Sequence, residues 1–406
     1  MIWHDDVTKG QPLHGVRILD IATMSAGPMA ATFLGDFGAD VIKVEHPEMG
    51  DHVRAFGKRK AGKSVLWKSV GRNKRAMTLD LKSADGQAVL KDLVAEADVV
   101  VENFRPGTLE RWNLGYDQLS AVNPSIVMLR TTGFGQDGPY AGFAGFGTLA
   151  EAMSGFASIT GTPDTPPLLP QFALADAICA VFGALGIMVA LRARDADPER
   201  RGQVVDASIC EAMTRLLEGI FLDYDQFGDI RQRHGNRLPD AAPRGAYETA
   251  EPGKYVALSG SAQPIALRLL RAVGRPELCD DPRFATNAAR VRNADELDGI
   301  IADWMKRRTR DEALAALRDA QVAAGPVYDA ADVFADPHFA AREMMIEMPD
   351  PDFGRIKLHN VMPRLSRTAG AVRHAGREKG ADTDDILHAL GRSADEIARL
   401  RGRGVI

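Results

Sequence analysis

Cysteine is scarce in this chain. Three occur in 406 residues, Cys179, Cys210 and Cys279, and they lie far apart. So few and so odd a set of thiols argues against a disulfide framework or a zinc knuckle as the organising element. The nine histidines are scattered, and none forms an H-x-x-x-H pair with an acidic partner, so no metal-ligand pattern is present. A G-x-S-x-G nucleophile elbow is also missing. Charge of one sign is not in excess: the net charge is −5 with 26% charged residues, which argues against nucleic acid as the main partner. No internal repeat occurs. The N-terminal stretch MIWHDDVTKGQ is polar and acidic, unlike a secretory signal. These absences leave the expectation of a reduced, cytoplasmic protein with no metal. With 45% hydrophobic residues, the chain is long enough for two domains and a sizeable core.

One long apolar run stands out. From Phe172 to Leu191 every residue is apolar or glycine except Asp176. Its length, about 20 residues, would suit a bilayer span. Asp176, the lack of a second span and the dilution by alanine and glycine favour instead a helix buried all round in a large core, with no membrane partner. A carboxylate in such a run has two readings. It is a helix N-cap, for which aspartate is favoured. Or it faces a cleft, where the helix dipole favours its charge and apolar walls oppose it. The sequence does not choose between them, and the two are compatible.

The first third of the chain alternates. Strand-like runs at 16–22, 40–45, 98–104 and 125–134 are separated by helix-like stretches at 26–38, 82–97 and 108–121. This pattern predicts βαβ units and a parallel sheet, with ligands at the carboxyl ends of the strands. A Gly-rich loop at 133–147, a helix at 148–155, a strand at 201–208 and a helix at 209–221 follow. A crossing segment at 222–245 precedes a hairpin at 245–260 and helices at 262–273, 294–307 and 310–321. The expected organisation is a large domain over 1–221, a linker over 222–245, a small α+β domain over 246–325, and a linker and return over 326–406.

GFGQDG at 133–138 fits the dinucleotide spacing G-x-G-x-x-G, but Pro139 follows at once where the fingerprint must open a helix, so NAD binding is rejected. The basic stretch GRNKRAMTLDLK at 71–82, with Arg105 and Arg111, offers cations to a phosphorylated ligand or simply forms a solvated face.

Taken together, GVRILDIATMSAGPMAATFLGDFGADVIKVEHP, NKRAMTLDLKSADG, ENFRPGTLERWNLGY, GFGQDGPY and RGQVVDAS resemble the class III CoA-transferase family of the CaiB/BaiF type, which also includes α-methylacyl-CoA racemases. The resemblance runs from about residue 14 to 400. It implies a Rossmann-like large domain built from both termini, a smaller α+β domain, an interlocked homodimer, and an acyl-CoA and a small carboxylic acid as partners. Coenzyme A thioester would be a substrate, with no permanently bound cofactor. The resemblance places the transferase nucleophile at Asp176. It implies CoA contacts at Ser25, Ala26, His46, Leu79, Lys82, Asn103, Phe104, Arg105, Arg111 and the loop Ala144, Gly145, Phe146 and Gly147. Transfer would run through acyl anhydrides and an aspartyl-CoA thioester, with loop N–H groups at the oxyanion. The racemase branch resembles AGHD where this chain reads AGFG, so Phe146 and Gly147 supply no base at the α-carbon and transfer is favoured over racemisation. Some transferases carry a Tyr-Glu pair there, and Gly147 lacks that carboxylate. Succinyl-CoA or another small dicarboxylyl-CoA is the expected donor, with Arg237 or Arg244 a candidate for holding a second carboxylate. Acyl-CoA hydrolysis is the remaining alternative.

Overall fold

A computed structural model describes residues 2–3 and 8–406. Residues 1 and 4–7, part of the acidic N-terminal stretch, lie outside the described residues. The chain forms two compact units. One comprises residues 1–156, 169–228 and 342–406, and the other residues 157–168 and 229–341. The second unit is thus wider than 246–325 and includes a short early segment.

The first unit is built on six parallel strands: β1 (Arg17–Asp20), β2 (Asp40–Glu45), β3 (Lys74–Thr78), β4 (Val99–Glu102), β5 (Val127–Thr132) and β6 (Val204–Ser208). Their order is β3-β2-β1-β4-β5-β6. That is the doubly wound Rossmann order, with the topological switch between β1 and β4. The Val- and Ile-rich strands β1, β2, β4 and β5 are buried on both faces, as parallel strands under helices must be. Ile42, Met77, Leu90, Val100 and Met128 fill one side of the sheet, and Ile18, Val41, Val99, Leu129 and Ile187 fill the other.

Helices α1 (Ala26–Asp36), α2 (Ala84–Val94), α3 (Gly147–Met153), α4 (Leu174–Ala196) and α5 (Ile209–Arg215) surround the sheet. The stretch expected as one helix over 108–121 is two, Thr108–Arg111 and Tyr116–Val122. Asn113 at φ 56° and Gly115 divide them, since a left-handed residue ends a helix. Helix α6 (Glu218–Phe227) continues where the expected helix over 209–221 breaks.

The C-terminal residues return to the first unit. Asp382 accepts from the Ala76 N–H at 2.7 Å and donates its own N–H to the Ala76 carbonyl at 2.9 Å. Thr383 Oγ1 accepts from the Thr78 N–H at 3.0 Å. These bonds cover the edge strand β3 and satisfy backbone groups that would otherwise be open to pairing.

Helix α4 departs from expectation. It buries Ala175, Cys179, Gly183, Ile187, Ala190 and Leu191 against its unit. Val181, Leu185 and Val189 are 56–61% exposed. Their four-residue spacing forms one open stripe, so this helix is not buried all round.

The second unit contains the antiparallel strands β7 (Arg244–Glu248), β8 (Tyr255–Ser259) and β9 (Ala324–Pro326) in the order β9-β8-β7. Helices at Gln263–Ala272, Ala294–Met305 and Arg310–Asp319 pack on them around Phe284, Ile301 and Trp304.

Candidate active site

The loop after β1 reaches the sheet's switch point, and a buried ionic cluster holds it from beneath. Lys43 Nζ lies 3.0 Å from Asp51 and 3.5 Å from Asp20, and donates to the Ala22 carbonyl. Lys74 Nζ contacts the other Asp20 oxygen at 2.8 Å. Burial disfavours charge on Lys43, but Asp20 and Asp51 outweigh it and hold its pKa above the usual lysine range. Asp51 Oδ1 also accepts from the Met24 N–H at 3.0 Å. Met24 has φ 65°, a left-handed conformation unusual for its type, and this bond holds it there.

Asn103, at the end of β4, grips the same loop. Its Oδ1 accepts from the Thr23 N–H at 2.8 Å, and its Nδ2 donates to the Thr23 carbonyl at 2.6 Å. Asn103 therefore spends part of its amide on the protein backbone. The two strands that flank the switch point are tied together at their carboxyl ends.

Two cavities open along these ends. One, of about 320 Å³, is lined by Ser25, Ala26, Asn103, Arg105, Ala144, Gly145, Phe146 and Asp176, with Met24, His52 and Thr131 also on its walls. The other, of about 370 Å³, is lined by His46, Leu79, Lys82, Asp51 and Trp112. Both include Thr23, His52 and Phe104, so they are two arms of one cleft. Phe104 and Trp112 meet edge to face, with ring centroids 5.1 Å apart. His46 Nδ1 accepts from the Glu48 and Met49 N–H groups at 3.2 and 3.3 Å. That arrangement places the proton of the neutral ring on Nε2.

Asp176 is not a helix N-cap. Helix α4 begins at Leu174, and its cap position, Ala173, makes no side-chain bond. Asp176 is the third residue of the helix, half-buried in the cavity wall. Burial, reinforced by the nearby Glu151 carboxylate, pushes its pKa up to about 6. Desolvation thus prevails over the helix dipole, which acts in the opposite direction. One turn on, Cys179 is buried and its thiol is pushed up to about 12, so it is not the site's nucleophile.

The Gly-rich loop is shaped by close backbone approach. A Cβ on Gly133 would stand 2.5 Å from the Gly145 Cα, and one on Gly145 would stand 2.7 Å from the Gly133 Cα. A Cβ on Gly147 would stand 2.2 Å from Asp176 Oδ2. Glycine at 147 therefore makes room for the carboxylate. No helix opens in GFGQDG; α3 starts only at Gly147.

Several expected cations lie elsewhere. Arg72 pairs with Asp36, Lys74 with Asp20 and Arg75 with Asp40, all largely buried. The basic stretch at 71–82 is therefore mostly strand β3 and its structural ion pairs, neither a phosphate site nor a solvated face. Lys82, beyond the strand, does reach the cleft. Arg111 is exposed, donates to Thr108 Oγ1 at 3.0 Å, and lines neither arm. In the second unit, Arg237 pairs with Asp295 at 2.6 Å and Asp298 at 2.5 Å. Arg244 bonds the Asn236 carbonyl at 2.9 Å and lines a separate cavity on that unit's sheet. Thr23, His52, Trp112 and Glu151 were not singled out by the sequence. Among the described residues no group of three or more His, Cys, Asp or Glu side chains is placed to hold a metal.

A cleft at a Rossmann switch point, ending on one half-buried aspartate, coincides with a match to the model of CoA-transferase family III over residues 13–383. The chain belongs to CoA-transferase family III. As an enzyme of that family it moves CoA between an acyl-CoA and a carboxylic acid. It is 44% identical to a succinyl-CoA–D-citramalate CoA-transferase of Chloroflexus aurantiacus, over 98% of both chains. It is 31% identical to the human succinyl-CoA:glutarate CoA-transferase, over 99% of this chain and 91% of that one. The crystal structure of a CaiB/BaiF family protein from Brucella suis superposes with a TM-score of 0.84 at 33% identity, covering 94% of this chain and 99% of that one.

Proposed function

We propose that this CoA-transferase takes CoA from succinyl-CoA, carries it as a thioester on Asp176, and delivers it to a small dicarboxylic acid. The observation that carries the reading is the position of Asp176: a half-buried carboxylate, with its pKa raised to about 6, at one end of a cleft along the sheet's switch point. A pKa of about 6 leaves the group ionised at neutral pH yet more basic, and so more nucleophilic, than an ordinary aspartate.

Asp176 attacks the succinyl thioester carbonyl and expels CoA thiolate, leaving a mixed anhydride. The thiolate attacks the aspartyl carbonyl, forms the aspartyl-CoA thioester and releases succinate. The acceptor carboxylate attacks that thioester and again expels the thiolate, which takes the acceptor's acyl group and frees Asp176. Each step exchanges one acyl bond for another, so the sequence needs no resident cofactor. Apolar walls such as Ala26, Ala144 and Phe146 limit the water that would intercept the anhydride. N–H groups of the 144–147 loop supply the oxyanion donors.

The adenosine end of CoA fits the arm with Phe104 and Trp112, where His46 Nε2–H and Lys82 meet its polar groups. Ser25 and Ala26 lie under the chain that joins it to the thioester. Arg105, on the wall with Asp176, has the charge to attract a carboxylate or a phosphate. A dicarboxylic substrate pair is supported by relatives whose names carry succinyl-CoA with citramalate, malate or glutarate. A homodimer is supported by the open Val181–Leu185–Val189 stripe. Three free cysteines suit the reducing cytoplasm.

A coupled assay with succinyl-CoA and a panel of free acids tests the substrate class. Dicarboxylic acids should yield new acyl-CoA with matched release of succinate. Transfer to monocarboxylic acids alone would overturn the dicarboxylate assignment, and release of free CoA without acyl transfer would favour hydrolysis.

A further inference from the structure

Helix α3 meets the first turn of α4 at two points, four residues apart and so on one helix face. Gly147 leaves space for the Asp176 carboxylate. Glu151, only 3% exposed, accepts the Ala175 N–H on Oε1 at 3.2 Å. That N–H is one of the donors a helix start leaves without an intrahelical partner. Ala173 makes no side-chain cap, so Glu151 caps α4 from a neighbouring helix. The same carboxylate is the charged group that acts on Asp176, and among the described residues neither carboxylate forms an ion pair.

We infer that Glu151 is the positioning residue for the nucleophile: its cap fixes the helix turn that carries Asp176, and its charge opposes ionisation of that aspartate. The inference rests on the reading of Asp176 as nucleophile. A buried glutamate without a cation is costly unless it is hydrogen-bonded, and here the bond goes to the residue next to Asp176. Other titratable groups around Asp176 do not substitute for it. Cys179, on α4 itself, keeps its proton at neutral pH, and Asp206 on β6 acts on Cys179. His52 and Arg105 line the same cavity from other elements; the permanent positive charge of Arg105 would favour an ionised Asp176, not oppose it. Glu151 thus sets how basic the nucleophile is as well as where it points.

The test compares wild type, Glu151→Gln and Glu151→Ala by two readouts. One is the carbon-13 NMR titration of the Asp176 carboxyl, assigned by its loss in Asp176→Asn. The other is the pH profile of CoA labelling by succinyl-CoA. Glu151→Gln keeps the acceptor oxygen and removes the charge. Its Asp176 midpoint and the acid limb of labelling should fall together by about one pH unit, with a melting temperature at neutral pH at or above that of wild type. Glu151→Ala also removes the cap and should melt lower than Glu151→Gln. An unmoved midpoint in Glu151→Gln overturns the electrostatic role, and equal melting of the two variants overturns the cap. A midpoint that moves in a protein never labelled by succinyl-CoA leaves the coupling standing and removes the nucleophile assignment instead.

Discussion

Replacing the nucleophile should make the protein more stable, and the gain should depend on pH. Asp176 titrates at about 6 in the fold against a usual 3.8. That displacement corresponds to about 3 kcal/mol of strain in the ionised form. Between these two values the folded state binds more protons than the unfolded state, so Asp176 lowers stability progressively as pH rises through the window. Below it, the side chain is neutral in both states and the penalty vanishes. Asp176→Asn keeps the shape and cannot ionise. The favourable helix-dipole interaction is already contained in that pKa, so the net gain above pH 6 is about 3 kcal/mol. The assay is thermal unfolding of both proteins from about pH 4.5 to pH 7.5. The variant should melt about 2–6 °C above wild type at the upper end, with the difference shrinking toward the lower end. A constant offset across this range, or a variant that is less stable at neutral pH, would refute the assignment of Asp176 as a strained buried carboxylate.

Three further outcomes follow from the same geometry. Gly147→Ala places a methyl where Asp176 Oδ2 now sits; the side chain swings away, so kcat should fall by about 100-fold or more with little change in melting temperature. Gly145→Ala meets backbone rather than a movable side-chain end, 2.7 Å from the Gly133 Cα, and circular dichroism melts should show it destabilised by about 1–3 kcal/mol. Asn103→Ala frees Thr23 and the loop at Met24; steady-state kinetics should show KM for the acyl-CoA rising by about tenfold, a loss of about 1.4 kcal/mol, with a smaller effect on kcat.

The contrast between strands shows what the sequence made legible. β1, β2, β4 and β5 could be read from their Val and Ile content, because a strand buried on both faces must be apolar. β3 could not. Its Lys74 and Arg75 resemble a basic patch, and only the tertiary fold brings Asp20 and Asp40 to neutralise them. The same fact removes both readings offered for most of the basic stretch at 71–82, a phosphate site and a solvated face alike. Asp176 stood out because it was the sole carboxylate in an apolar run, yet its place in the helix, third residue and not cap, needed the observed start of α4. Glu151 gave no signal at all. In GTLAEAMS it reads as an ordinary outward helix residue, and its burial depends on α4 docking beside it. The glycines of 133–147 were visible as a loop, but their reason, two backbone segments in contact and room for a carboxylate, is purely three-dimensional. The open stripe on α4 marks a similar limit, since twenty apolar residues look the same whether they face a core or a second surface.

The central claim is the covalent role of Asp176, and intact-protein mass spectrometry tests it most directly. Wild type and Asp176→Ala are mixed with succinyl-CoA and weighed before and after hydroxylamine. The account predicts a CoA-sized mass gain on wild type that hydroxylamine removes, discharge of that adduct by an acceptor dicarboxylic acid, and no gain on the variant. Transfer activity in Asp176→Ala, or a hydroxylamine-sensitive adduct of the same size on that variant, would contradict it.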